Sequence, residues 1–130
     1  MNHPELGNHS CVIRTPSGEI ITSGEQGIRP PLLCLRENPV ILKDAVVSDK
    51  VIGKAAALLF AYGGVRSIWA QRMSEAAIAF LTNAGIAFDY AERVEVILNR
   101  DGSDICPMER RALGIDSPAE AFRVFNEVIA

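Results

Sequence analysis

Short apolar runs bounded by turn residues alternate along this chain with segments whose apolar positions recur at helical spacing, the pattern of an α/β domain. Cys11-Val12-Ile13-Arg14 and Glu19-Ile20-Ile21-Thr22 flank Thr15-Pro16-Ser17-Gly18. Pro presets φ there and Gly supplies the permissive position, so an antiparallel hairpin is expected. Pro30-Pro31 opens a short helix through Leu32, Leu33 and Leu35 that ends before Asn38-Pro39. Ala45 to Ser48 reads as a third strand, and Ser48 or Asp49 as the cap of a helix to about Tyr62, closed by Gly63-Gly64. Val51, Ala55, Leu58, Leu59 and Tyr62 form one face of that helix, but Ala56, Ala57, Phe60 and Ala61 leave the other face nearly as apolar. A helix apolar almost all round is a buried one, expected between a sheet and a second surface, for which another subunit is one candidate.

Downstream, Ser67 to Ala70 and Ile86 to Tyr90 read as strands on either side of a helix capped by Ser74, running to Ala84 and ended by Gly85. This β-α-β unit predicts a parallel, right-handed crossover with helices covering the sheet. Val94 to Leu98 reads as a further strand. Ser117-Pro118-Ala119-Glu120 is a capping box for a final helix with Phe122, Phe125, Val128 and Ile129 on its apolar face. The polar stretch 1–9 is expected to be a flexible tail, and residues 10–130 a single α/β domain.

With 130 residues, 48% of them hydrophobic and 22% charged, the chain is long enough to bury one core without staples. A net charge of -3 argues against general nucleic-acid binding while leaving a small phosphorylated ligand open. Cys11, Cys34 and Cys106 are odd in number and form no C-x-x-C, which favours a reducing cytoplasm over a disulfide framework. The longest apolar run, Ala55 to Tyr62, is too short to span a bilayer, so no membrane role is expected. His3 and His9, the only histidines, both fall in the expected tail, which disfavours a histidine triad or a metal site. No cofactor is implied.

Acids, bases and a thiol crowd together in one segment, Asn99-Arg100-Asp101-Gly102-Ser103-Asp104-Ile105-Cys106-Pro107-Met108-Glu109-Arg110-Arg111. Asp101-Gly102 marks a turn, and Pro107 suits the first position of a short helix ending near Gly114, with Cys106 at its N-cap. The helix start and Arg100, Arg110 and Arg111 would favour the thiolate, making Cys106 a candidate nucleophile. Glu109 could bond back to the Cys106 amide or assist proton transfer. The plainer alternative is a small buried thiol beside charges that only cap and solvate a helix.

A second candidate is Ser48-Asp49-Lys50-Val51-Ile52-Gly53-Lys54. Lys50 and Lys54 near a helix start oppose its dipole, a penalty that a bound anion would reverse, and Gly53 admits the close approach of a ligand or another backbone. An Asp49 cap with both lysines reaching to water is the plainer alternative. Ser74-Glu75 is a cap and a dipole-matched acid, given functional weight only because ligands in open α/β sheets bind beyond the carboxyl ends of strands. Gly24, Gly27 and Arg29 could close such a pocket.

Asp49-Lys50-Val51-Ile52-Gly53-Lys54-Ala55-Ala56-Ala57, Ser74-Glu75, and Asn99-Arg100 with Cys106-Pro107-Met108-Glu109 together resemble a small prokaryotic family known as a domain of unknown function. Gly24, Gly27, Ile28, Arg29 and Pro31 resemble its glycine-rich segment, and the likeness runs from about Cys11 to Glu109. The resemblance implies a cytidine deaminase-like fold, with three layers, a mixed β-sheet and helices on both faces. Zinc deaminases need H-x-E at one helix start and P-C-x-x-C at the next. The corresponding places here hold Gly53-Lys54-Ala55 and Met73-Ser74-Glu75-Ala76-Ala77, which cannot hold zinc. The expectation is therefore a zinc-free protein that binds a small anionic or nucleoside/nucleotide-like molecule through Arg29, Asp49, Lys50, Gly53, Lys54, Glu75, Asn99 and Arg100. Cys106, Glu109 and Ser74 are its catalytic candidates, so any enzyme here would be cysteine-dependent. The alternative is a non-catalytic sensor or interaction module, and a homo-oligomer is compatible with either.

Overall fold

The computed structural model describes residues 2–129. Met1 and Ala130, the outer limits of the expected tail and domain, lie outside the described residues. Five strands, β1 (Cys11–Arg14), β2 (Ile20–Ser23), β3 (Val46–Ile52), β4 (Ser67–Ser74) and β5 (Ala87–Val94), form one mixed sheet in the order β2-β1-β3-β4-β5. β1 is antiparallel to both β2 and β3, and the pairs β3–β4 and β4–β5 are parallel. The helices are α1 (Arg29–Glu37), α2 (Lys54–Gly63), α3 (Glu75–Ala84), α4 (Pro107–Ala112) and α5 (Pro118–Val128).

Ends set by local chemistry fall where expected. Ser74 Oγ accepts from the Ala77 N–H at 3.1 Å, and Gly85 closes α3 at φ 73°. Ser117 Oγ accepts from the Glu120 N–H at 3.3 Å ahead of Pro118. β1 also has the expected bounds, but β3 and β4, extended by pairing with distant strands, run past their expected ends. β3 does not stop at Ser48, because Asp49 pairs with Cys11 on β1 and Val51 and Ile52 pair with Arg72 and Met73 on β4. Neither Ser48 nor Asp49 therefore caps a helix; α2 begins at Lys54, and Lys50 lies in a strand. Val94 to Leu98 is not a further strand either. Val94 ends β5, the sheet edge, and the chain then turns back on itself so that Leu98 forms an isolated bridge with Ile105.

All of Lys54 to Phe60 is buried, as the all-apolar helix requires. The second surface against it is α5 of the same chain, through fully buried Ala121 and Phe125 and through Phe122 stacked on Tyr62 at 5.3 Å. Burying Leu58, Leu59 and Phe60 stabilises the fold by roughly 1.5–3 kcal/mol each. α1, α3 and α4 also pack on α2, which makes it the hub of a single core running from Cys11 to Phe125.

The sheet faces are covered unequally. The β3–β4 and β4–β5 crossovers step the same way across the sheet, so right-handed connections bring α2 and α3 together on one face. Residues 2–9, expected as a tail, contribute cover at Trp69. His3 stacks on its indole at 4.3 Å, Ser48 Oγ donates to the Pro4 carbonyl at 2.6 Å, and Arg14 reaches the Asn2 carbonyl at 3.2 Å. Among the described residues no helix is long and apolar enough to cross a membrane.

Candidate functional site

Because β3 runs to Ile52, the chain enters α2 through Gly53, which has no side-chain oxygen to offer the first-turn amides. Glu109 of α4 supplies both. Its Oε1 accepts from the Lys54 N–H at 2.7 Å and its Oε2 from the Ala55 N–H at 2.9 Å. These are charge-assisted bonds at the positive end of a helix dipole. Burial raises the Glu109 carboxyl above its ordinary value, opposed by those two amide bonds and by the charge of Lys54. Glu109 does not bond back to Cys106, whose N–H donates instead to the Ile97 carbonyl at 2.9 Å.

Gly53 is needed for this contact, since a Cβ there would overlap the Glu109 carboxylate. The approach that Gly53 permits is that of a side chain from its own fold, and the α2 start already holds its anion. Lys54 is buried and places Nζ 2.9 Å from Oδ1 of exposed Asp116 and 3.5 Å from the Leu113 carbonyl. Asp116 carried no motif to flag it in the sequence.

Beside this contact lies a groove of about 620 Å³, a size suited to small-molecule ligands. It opens at the carboxyl ends of β2 and β3, between the 24–29 loop, the end of β3 and the 97–109 segment. Arg29, Asp49, Lys50, Gly53, Asn99, Arg100, Cys106 and Glu109 all line it, with Gly24 and Gly27. Val51, Ala56, Ile97, Leu98 and Met108 supply its apolar surface. Lys54, Ser74 and Glu75 do not line it. Ser74 is buried under its own cap, and Glu75 lies 3.6 Å from Arg93. A second cavity of about 500 Å³, lined by Arg14, Thr15, Pro16, Asp44, Val46 and Arg66, gathers none of the candidate residues.

Arg29, Lys50 and Arg100 are exposed, and among the described residues none of them forms an ion pair. Arg110 is paired with Asp104 at 2.9 Å. The Asn99 side chain closes its own loop, accepting from the Ser103 N–H at 3.0 Å and donating to Ser103 Oγ at 3.3 Å. Cys106 is half-buried at the N-cap of the six-residue α4 and makes no side-chain cap bond. Burial pushes the Cys11 and Cys34 thiols up, with the charges of Asp49 and Glu37 adding to the respective shifts. Among the described residues no group of three or more His, Cys, Asp or Glu side chains is placed to hold a metal.

Asp49 is the acid in the groove wall whose character the sequence did not disclose. It is 5% exposed, and burial raises its pKa to about 7, opposed chiefly by the bond from the Val51 N–H. A lone acid between apolar strand positions, opposite a cysteine, was the available signal.

The family model for a domain of unknown function, DUF1893, matches residues 2–129. The fold is similar to the crystal structure of a DUF1893 family protein from Thermotoga maritima. The TM-score is 0.85 at 27% identity, covering 95% of this chain and 82% of that one. None of the curated proteins matches.

Two predictions follow from these contacts. Glu109→Gln leaves a single acceptor oxygen for two buried amides, and Gly53→Ala drives the carboxylate off them; each should cost roughly 1–3 kcal/mol. Because both break one contact, the double variant should cost less than the sum, read from urea unfolding midpoints. A neutral Gly53→Ala would refute the capping role. For Asp49, the unfolded carboxyl ionises near 3.8 and the folded one near 7, so the native state binds more protons between them and stability falls as pH rises through that window. Asp49→Asn should therefore gain over wild type with pH, from little at pH 4 to about 4 kcal/mol at pH 8. A gain independent of pH in thermal unfolding would contradict this.

Proposed function

This chain belongs to the DUF1893 family, and from the groove it builds we propose that it binds a small anionic ligand of nucleotide-like size at the carboxyl ends of β2 and β3. The observation that carries the reading is the convergence of Arg29, Lys50 and Arg100, from three separate segments, on one groove without carboxylate partners among the described residues. Like charges gathered around a concave surface repel, and an anion relieves that repulsion. The strand order and the groove's position beyond parallel strand ends are compatible with the cytidine deaminase-like architecture that the sequence motifs suggest. Zinc does not fit that picture, because the α2 start carries Gly53 and a buried Lys54. The three free thiols suit a reducing compartment such as the cytoplasm.

Binding or sensing is favoured over catalysis by Cys106 because Glu109, the residue suited to assist it, has both oxygens on backbone amides. Cys106 remains the nucleophile candidate of the second reading, being the half-buried thiol on the groove wall.

Calorimetric titration of the full chain with AMP should show binding that weakens as salt is raised. The Arg29→Ala/Lys50→Ala/Arg100→Ala variant should lose about tenfold or more in affinity. Bound AMP should also slow alkylation of Cys106 by iodoacetamide, followed by peptide mass spectrometry. Binding unchanged in the triple variant would remove the anion site, and Cys106 alkylated no faster than Cys11 or Cys34 would remove the catalytic reading.

A further inference from the structure

The fold treats the two oxygens of Asp49 unequally. Oδ1 accepts from the Val51 N–H at 3.2 Å, while Oδ2 is buried with no hydrogen-bond partner. A carboxyl held in a cavity wall with an unused acceptor is unfavourable for the empty protein, so an N–H brought by a ligand has more to gain there than at a solvated acid. The groups around it do not remove that acceptor. Cys11 faces it across β1–β3, and a thiol is a weak donor. Glu109 is committed to α2, and none of Arg29, Lys50 and Arg100 comes within ion-pair distance of Asp49 among the described residues.

One groove thus combines a buried acceptor, exposed cations and an apolar wall that includes Val51 and Met108. We propose that Asp49 is the recognition group for an N–H-bearing head, so that the groove takes a bipolar ligand, with an amine- or amidine-type head on Oδ2 and an anionic tail on Arg29, Lys50 and Arg100. The assignment rests on the anion-binding reading and deepens it by naming the other end of the ligand. An apolar body between the two ends suits the apolar wall.

Two probes separate the ends, 4-amidinobenzoate and benzoate, titrated calorimetrically into the full chain and its Asp49→Asn variant. The wild type should bind 4-amidinobenzoate at least about tenfold more tightly than benzoate. Asp49→Asn should abolish that advantage, with circular dichroism confirming an intact fold. Equal affinity of the two probes for the wild type, or an advantage that survives in Asp49→Asn, overturns the proposal. If neither benzoate nor AMP binds while the amidine is held by the wild type and not by Asp49→Asn, the anionic tail is overturned, and with it the bipolar ligand.

Discussion

The grip of the Glu109 carboxylate on the Lys54 and Ala55 amides is the contact on which the candidate site depends. A buried helix start cannot leave its first amides unpaired, and Gly53 has no side chain with which to pair them. Meeting that need from α4 fixes α4 against α2, and α4 in turn carries Cys106 and Met108 into the groove wall and anchors the returning 97–105 segment. Gly53 and Glu109 act as one unit, because the missing Cβ of one is the space filled by the other.

Asp49 shows the opposite balance. Where Glu109 has two amides for its two oxygens, Asp49 has one for two, and its pKa is raised to about 7. Its backbone place in β3 is fixed by the pairing of Asp49 with Cys11 on one side and Ala70 on the other, and its side chain is buried. The strand thus holds, at some cost in stability, a polar group that packing alone would replace, a pattern common where a site is built for something else to bind.

How far the chain could be read in advance follows the range of the interactions involved. The Ser74 cap, the Gly85 stop, the Pro118 start and the Cys106-Pro107 start depend on neighbours within four residues, and each lies where the sequence placed it. The ends of β3 and β4 depend on register with other strands, so the polar pair Asp49-Lys50 resembled a helix cap while belonging to a strand. The residues gathered in the groove were recognisable as candidates one by one, but the direction of Lys54 toward Asp116 and of Glu109 toward α2 came from contacts more than fifty residues apart. No local pattern encodes such contacts. The same distance hid α5 as the second surface over α2 and left another subunit as one candidate for it.

Occupation of the α2 start changes what kind of anion site this protein can offer. A helix N-terminus with free amides holds phosphate through fixed, short, directional bonds that salt screens weakly. Here those amides are taken, and the remaining positive groups are side chains, Arg29 at the start of α1, Lys50 near the end of β3 and Arg100 in a turn. Long exposed side chains lose conformational freedom on binding and are screened within a Debye length, so they attract an anion more readily than they orient it. Orientation must then come from a group that is already rigid. Asp49, held in a paired strand with one oxygen unused, is the side chain in this groove that meets that condition.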